Sequence, residues 1–327
     1  MLVILAGSVV RASGSGMGCP DWPTCFGQYI PPTSEDQVMW HASHDYRKGQ
    51  IIVHQEALWV AQTDFISGET FNAELWEVYT KHDYAVFNPV HTWVEFVNRL
   101  LTVLLGIPAI IAFVMTWRSY RQRPWAAWLM TSAMAILLFE SWLGKLVVEG
   151  HLVPNQITYH MTGAFVLVGV LVWLRRKLSP ISMPEGDTGK RINQVLGVVT
   201  LLMMAQIIMG SQVREGVDEL MKVFGADASR VGWIDMLSNL IYVHRSASLL
   251  VIAGAWWMWR MGKSHRLVNH HGLWILGLLI GESVLGALMF YVEIPKFLQP
   301  AHLVMSAMVW WFIVDLWAAS FTSRRAK

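Results

Sequence analysis

The chain has 327 residues, 54% of them hydrophobic and only 15% charged, with 18 tryptophans and a formal net charge of +2. A mean hydropathy of +0.40 is too apolar for a soluble globular protein and places the chain among multi-span membrane proteins. So small a net charge also excludes a nucleic-acid footprint.

Residues 1–10 open the chain with an apolar run that rises only about 15 Å as a helix, half of the roughly 30 Å of hydrocarbon that a span must cross. Its repeat partner further along is full length, so upstream residues are expected to be missing, as a late start codon would cause. No signal or transit peptide is legible, and a truncated start would hide one. Apolar runs near 20 residues follow at roughly 91–117, 125–148, 156–174, 194–213, 237–260, 271–292 and 297–319, each long enough to span. The expected fold class is an all-α polytopic membrane protein with eight transmembrane helices.

Between the first and second spans lies a polar extracytoplasmic insertion of about 55 residues, Ser34 to Asn88 (34–88). Trp40, Trp59 and Trp76 are spaced through it, and its stretch 69–83 suits an amphipathic helix at the membrane interface. His41, His44, His54 and His82 also lie there; they read as solvated loop histidines, with metal ligation as the alternative.

Basic residues gather in short cytoplasmic loops. Arg118, Arg121 and Arg123 follow span two; Arg175, Arg176, Lys177, Lys190 and Arg191 follow span four; Arg260, Lys263 and Arg266 follow span six; Arg324, Arg325 and Lys327 close the chain. These four sites share one side only if eight spans leave both termini in the cytoplasm, which places the chain in the inner (plasma) membrane.

The chain repeats itself. FESWLGKLVV, Phe139 to Val148, with His160 downstream, reappears as GESVLGALMF, Gly281 to Phe290, with His302 downstream. Glu140/Glu282, Ser141/Ser283, Gly144/Gly286 and His160/His302 all fall at one offset of 142 positions. Upstream, GSVVR (Gly7 to Arg11) answers GSQVR (Gly210 to Arg214), and VNRL (Val97 to Leu100) answers VHRS (Val243 to Ser246). Four helices per repeat is an even number, so two pseudo-symmetric four-helix bundles, 1–177 and 178–327, are expected to run in the same direction as a tandem parallel repeat.

His160 and His302 lie about one turn below the starts of spans four and eight, and Asn98 and His244 about two turns into spans two and six. Each half can therefore point two side chains at one another across a bundle, the arrangement by which bundles hold metals and haem. An ionisable residue in hydrocarbon is costly and commonly functional. The pair His244 and His302 suits axial ligation of a low-spin haem iron, whereas zinc would ask for further ligands that these helices do not supply in register.

The first half departs twice. Asn98 stands where the second half has His244, and Glu95, one turn up the same face, stands where the second half has Ile241. A haem held by His160 alone would keep an open or weakly filled position beside a carboxylate suited to passing protons; the alternative is that Glu95 pairs with Arg99 or another buried cation. Arg99 and Arg245 follow the ligand positions, and Arg11 and Arg214 lie at the outer ends of spans one and five. Haem propionates and snorkelling at helix ends explain these cations about equally. Glu140 and Glu282 read as helix-packing hydrogen bonders, with Gly144 and Gly286 allowing close approach. Cys19 and Cys25, separated by five residues in GMGCPDWPTCFG, can close a small loop disulfide on an oxidising face; two free thiols are the alternative.

GSVVRASGSGMGCPDWPTCFG, the glutamate helix VEFVNRL and the paired histidines of the second half together resemble the haem A synthase family over nearly the whole chain. The first motif is specific and the others are weaker alone. The resemblance implies eight helices in two four-helix bundles, with haem b as cofactor on His244 and His302 and with haem O as substrate in the N-terminal half. It implies that Glu95 is the carboxylate needed for turnover, that His160 belongs to the substrate site with Asn98 and Arg99 beside it, and that Cys19 and Cys25 are the family's cysteine pair. The family pattern has a histidine where this chain has Asn98, so two-histidine coordination of the substrate haem is not implied. The implied reaction takes the C8 methyl of haem O to a formyl group by successive hydroxylations, with haem b relaying electrons from an unidentified donor. Pathway order makes the farnesyltransferase that forms haem O a partner, and no residue specifies or excludes a homo-oligomer.

Three rivals remain. A di-haem b-type electron-transfer protein or quinol oxidoreductase subunit would need no substrate pocket, and two complete histidine pairs would favour it. A pseudo-symmetric transporter would show broken helices near the bilayer midplane. A family member that binds haem without oxidising it is the third, and Asn98 gives it substance.

Overall fold

The structure, a computed structural model, describes residues 1–80, 87–149, 155–225 and 228–322. Its helices are α1 (Leu2–Ser13), α2 (Pro89–Arg118), α3 (Pro124–Glu149), α4 (Gln156–Leu178), α5 (Gly186–Phe224), the short α6 (Trp233–Met236), α7 (Leu240–Gly262), α8 (Arg266–Tyr291) and α9 (Leu298–Thr322). Among the described residues six helices, α2, α3, α4, α5, α8 and α9, are long and apolar enough to cross a membrane. The protein is thus a polytopic helical membrane protein. α7 has 23 residues but is not among the six, and α1 has only 12.

Local chemistry sets several helix ends. Asn88 accepts the N–H groups of Val90 and His91 on its side-chain oxygen, at 3.0 and 3.1 Å, and Pro89 follows at the first helical position; an N-cap followed by proline starts α2. α4 is capped from a neighbour instead. Glu215 of α5 accepts both the N–H and the hydroxyl of Thr158, at 2.8 and 2.9 Å, satisfying a first-turn donor that has no intrahelical partner. α5 runs 39 residues, well beyond the expected 194–213. Its polar extension holds because its charges find partners: Glu215 binds Thr158, and Arg214 pairs with Asp218.

The chain divides into two compact units. One comprises Met1–Leu5, Leu105–Leu143 and Val153–Lys327. Its core joins Phe165 of α4 with Ile192 and Val199 of α5, Ala255 and Met258 of α7, Ile275 of α8 and Ile313 of α9. In hydrocarbon such packing rests on dispersion and close helix approach, not on release of water. A Cβ on Gly254 would come within 2.7 Å of Val199, and one on Gly272 within 2.6 Å of Trp259. Trp310 of α9 donates its indole N–H to the carbonyl of Phe165 at 2.8 Å, tying α9 to α4.

A charged clamp joins three helices of this unit. Asp315 of α9 is fully buried and accepts from Arg175 (2.9 Å), from Arg176 through Nε (3.0 Å) and its terminal nitrogen, and contacts His271 Nε2 of α8 at 2.9 Å. The sequence reading put Arg175 and Arg176 in a loop after span four as topogenic charges. The structure corrects the loop placement: both lie in the last turn of α4, and Arg176 is buried.

The second unit comprises Ala6–Leu104 and Gly144–Leu152. Within it the insertion folds as β structure: β1 (Asp45–Tyr46) pairs with β4 (Phe65–Ile66), and β2 (Ile51–His54), β3 (Ala57–Ala61) and β5 (Trp76–Val78) form an antiparallel sheet in the order β2-β3-β5. Neighbouring side chains of β2 serve opposite faces, Ile51 packing with Cys19, Cys25, Val38 and Leu58, and Ile52 with Tyr46, Ala61 and Trp76. The expected amphipathic helix over 69–83 is absent from its described part: Ala73–Leu75 is one 3-10 turn and Trp76 enters β5. Trp40, Trp59 and Trp76 pack in an aromatic core with Phe65 and Phe71, which removes them from interfacial anchoring. His54 stacks on Phe71 at 4.1 Å, His44 meets the edge of Tyr46, and His41 contacts the carbonyl of Asp36; His82 lies outside the described residues, as do Arg324, Arg325 and Lys327. Burial pushes the Tyr46 hydroxyl above its ordinary pKa, opposed by the His41 N–H that it accepts at 2.7 Å.

Replacing Asp315 with alanine would leave two arginines without their buried acceptor. The loss expected is about 3–5 kcal/mol, as for breaking a buried pair from one side, read as a lower thermal midpoint in detergent; Asp315→Asn, which keeps one carbonyl acceptor, is expected to lose less.

Candidate functional site

Glu95 is buried in the second turn of α2. One carboxylate oxygen accepts the backbone N–H of Cys19 at 2.9 Å, and the other pairs with Arg99 one turn on. The pairing left open by the sequence is therefore present. Arg99 in turn donates to the carbonyls of Asp21 (2.7 Å) and Thr24 (3.0 Å). Both carbonyls belong to the loop closed by the Cys19–Cys25 disulfide, whose two sulfurs are buried. Asp21 braces the same loop, its side chain accepting the Thr24 hydroxyl and the Gly27 N–H. Thr92 donates its hydroxyl to the Gly18 carbonyl at 2.8 Å, and a Cβ on Gly18 would stand 2.5 Å from the His91 carbonyl. The glycine before Cys19 is thus required for the loop to reach α2. Asn98 leaves its buried side-chain oxygen without a hydrogen-bond partner, and the nearest approach to Gly7 is 3.8 Å from where a Cβ would stand.

In the other unit, each of two histidines meets the glutamate twenty positions before it. His160 Nδ1 lies 2.7 Å from Glu140 Oε2. His302 Nδ1 lies 3.1 Å from the backbone carbonyl of Glu282, whose carboxylate accepts from Ser306 and stands 3.8 Å from His302 Nε2. A carbonyl oxygen only accepts, so Nδ1 of His302 carries the proton and Nε2 is left for a metal. The backbone carbonyl of His244 accepts from Gln206 at 3.0 Å, and its buried Nδ1 has no hydrogen-bond partner. Glycines flank both rings: a Cβ on Gly210 would stand 3.0 Å from His244 Cε1, and one on Gly286 3.6 Å from His302 Cε1. An unsatisfied imidazole, a second imidazole with its tautomer set, and space kept open beside both are what a haem iron requires, and these residues fit it.

The arginines are engaged with protein groups. Arg214 pairs with Asp218. Arg245 lies over the rings of Phe290 and Tyr291, 5.0 and 5.9 Å from their centres. Arg11 sits in the last turn of α1. Beyond α5, Arg230 is buried, donates to the carbonyl of Ile294 at 2.7 Å, and is held below its ordinary pKa by burial, with Asp218 opposing the shift.

Sequence reasoning missed what Glu140 and Glu282 touch, assigning them to helix packing. The signal was present: the glutamate-to-histidine spacing is the same in both halves. Glu215, Thr158 and Gln206 carried no comparable signal, because each finds its partner on another helix.

Fold and site define a polytopic helical membrane protein with buried histidines that fit a haem iron. The family model described as cytochrome oxidase assembly protein, COX15-CtaA, matches residues 1–58 and 66–314, and the chain belongs to that family. Among curated relatives, a heme A synthase of Shewanella oneidensis is 26% identical over 212 residues, covering 64% of this chain and 52% of the relative. A heme A synthase of Bartonella tribocorum is 21% identical over 351 residues, covering 100% of this chain and 90% of the relative, and one of Sinorhizobium fredii is 20% identical, covering 96% and 85%. The chain thus spans about half of the Shewanella relative and most of the other two. No solved structure matches the chain.

Gly210→Val would drive a branched side chain into the His244 ring. Bound haem, measured as pyridine haemochrome per chain, is expected to fall roughly tenfold, the scale of overpacking a filled site.

Proposed function

We propose that the chain is a haem A synthase: it oxidises the C8 methyl of haem O to a formyl group by two successive hydroxylations, each consuming one dioxygen, two donor electrons and two protons and releasing one water, through a hydroxymethyl and then a geminal diol that loses water. Haem b on His244 and His302 is the resident cofactor and supplies an electron path from a donor of unspecified identity. His160, Asn98 and Arg99 are assigned to the substrate haem, with Glu95 as the catalytic carboxylate. The observation that carries the reading is the asymmetry of the repeat: the half with two histidines lacks a carboxylate at Ile241, and the half with Asn98 has Glu95, held by Arg99 and the Cys19 N–H.

The chain's own groups do the positioning. Glu282 and Gly210 orient and make room for the two imidazoles of the second half. Glu140 holds His160 by one nitrogen and leaves the other for iron. Arg99 fixes Glu95 while the disulfide loop fixes Arg99, so the proton-handling carboxylate has a set position. Arg11, Arg214 and Arg245 are the candidate partners of haem propionates, the first two at the ends of their apolar runs.

The same reading gives eight spans in two parallel four-helix repeats, 1–177 and 178–327, α1 and α7 being the spans additional to the six. Arg118, Arg121 and Arg123 with Arg260, Lys263 and Arg266 place their ends in the cytoplasm and the insertion outside the inner (plasma) membrane. The expected partners are haem O, the electron donor, the farnesyltransferase that forms haem O, a second copy of the chain, and the bilayer.

The test is to express the chain in cells that form haem O and to extract and chromatograph its haems. Wild type is expected to carry haem b with hydroxylated or formylated haem. Glu95→Ala should keep haem b and accumulate haem O, with haem A reduced roughly a hundredfold, the scale of a lost acid–base group; His244→Ala should lose haem b. Haem b alone in the wild type would replace the reading with a di-haem b-type electron carrier. An Asn98→His chain is expected to turn over more slowly; undiminished turnover would show that an open position at the substrate iron is not required.

A further inference from the structure

The two glutamate–histidine pairs of the repeat share a spacing but not a contact. His160 Nδ1 stands 2.7 Å from a carboxylate oxygen of Glu140, whereas His302 Nδ1 stands 3.1 Å from the backbone carbonyl of Glu282. The Glu282 carboxylate accepts from the Ser306 hydroxyl instead, with one oxygen 3.8 Å from the other ring nitrogen of His302, Nε2. Among the described residues His160 Nδ1 and both Glu140 oxygens are buried without a hydrogen-bond partner, so each side chain has the other as its polar neighbour. His244 Nδ1 has no hydrogen-bond partner either.

Three exchanges accompany the difference. At the offset of 142 positions Gly163, Ala164 and Phe139 correspond to Met305, Ser306 and Gly281. A Cβ on Gly163 would collide with a carboxylate oxygen of Glu140 and stand 2.7 Å from its Cδ. The carboxylate therefore lies against α4 where even an alanine would push it aside. The second half has Met305 at that position, and its terminal methyl would stand 2.5 Å from a Cβ on Gly281. The glycine that makes room is thus on the histidine's helix in the first half and on the glutamate's helix in the second. Ser306, where the first half has Ala164, supplies the donor that the Glu282 carboxylate takes.

Resting on the assignment of His160 to the substrate iron and of His302 to haem b, we propose that Glu140 is a positioning residue that makes His160 the stronger electron donor of the two. Gly163 and Met305 decide which histidine has a carboxylate behind it. A carboxylate that accepts from Nδ1–H leaves more electron density on Nε2 and strengthens its bond to ferric iron; a carbonyl does so less. The 2.7 Å contact is within reach of a hydrogen bond but off its line as the ring stands. Iron on Nε2 sets the plane of the ring, and a turn about the Cβ–Cγ bond aligns the pair. A strongly donating axial ligand suits oxidative chemistry, while a pair of histidines of ordinary strength suits electron transfer.

The test uses the full chain expressed with the farnesyltransferase that forms haem O. It reads the reduction potential of each haem by spectroelectrochemical titration and the iron–histidine stretching band by resonance Raman, neither of which needs turnover. Glu140→Gln keeps the shape and removes the charge; Gly163→Ala keeps the glutamate and displaces its carboxylate. Both are expected to shift the first-half redox equilibrium roughly tenfold towards the reduced form, about 59 mV for one electron, and to lower the stretching frequency, with haem b unchanged. Met305→Gly combined with Ser306→Ala copies the first half and is expected to lower the haem b potential by a similar factor, a reading that does not involve haem O. A glutamate that only packs α3 against α4 would leave the potentials and the band at wild type in all three variants, and that result overturns the proposal. If Glu140→Gln and Gly163→Ala lose the first-half haem, the second-half variant decides. A wild-type chain with haem b alone overturns the oxidase reading and the assignment to a substrate iron, whereas an unchanged haem b potential in the second-half variant overturns the role of the carboxylate by itself.

Discussion

A polar group placed in hydrocarbon has no water to bind and must find its partner inside the protein. Several buried carboxylates of this chain meet that constraint through named partners, and the fold is organised around them. Asp315 gathers Arg175, Arg176 and His271 from two other helices. Glu215 caps the first turn of α4, two residues before His160. Glu140 contacts His160, and Glu282 binds Ser306 while its carbonyl sets the tautomer of His302. Leucine and isoleucine fill the space between helices but gain little by leaving lipid for protein; the carboxylates specify which helix lies against which and how far it is rotated.

The same logic explains why the cysteine motif is contiguous. Gly18 allows the loop to approach α2, Cys19 donates its N–H to Glu95, Asp21 and Thr24 present carbonyls to Arg99, and Cys25 closes the loop on itself. These five residues serve the placement of one carboxylate and its arginine. The β structure that follows covers the disulfide with Val38, Ile51 and Leu58, so the insertion keeps this loop packed.

The sequence repeat recurs in local surroundings. Gly7 and Gly210 each stand beside the residue at the Asn98/His244 position, and the Glu–His spacing recurs unchanged. The two segments differ in Asn98 for His244 and in Glu95 for Ile241.

Six long apolar helices were legible because a 20-residue apolar run has few alternatives to a membrane helix, and the histidines and Glu95 drew attention because a repeat exposes the positions that break it. The insertion was not. Its hairpin turns at Gln55–Glu56, both at positive φ, a geometry usually marked by Asn-Gly, so the sequence carried no turn signal and the stretch 69–83 read as an interfacial helix. Arg175 and Arg176 looked topogenic because Asp315 lies far along the chain, and whether Glu95 pairs with Arg99 was undecided for want of any view of the loop. By itself the sequence determined the membrane class, the long apolar helices and its own self-similarity, since each is encoded in local composition or in repetition. Tertiary structure alone decided the partners, Arg99 with Glu95, Glu140 with His160 and Asp315 with Arg176, because satisfaction of a buried charge depends on distances that no local pattern records.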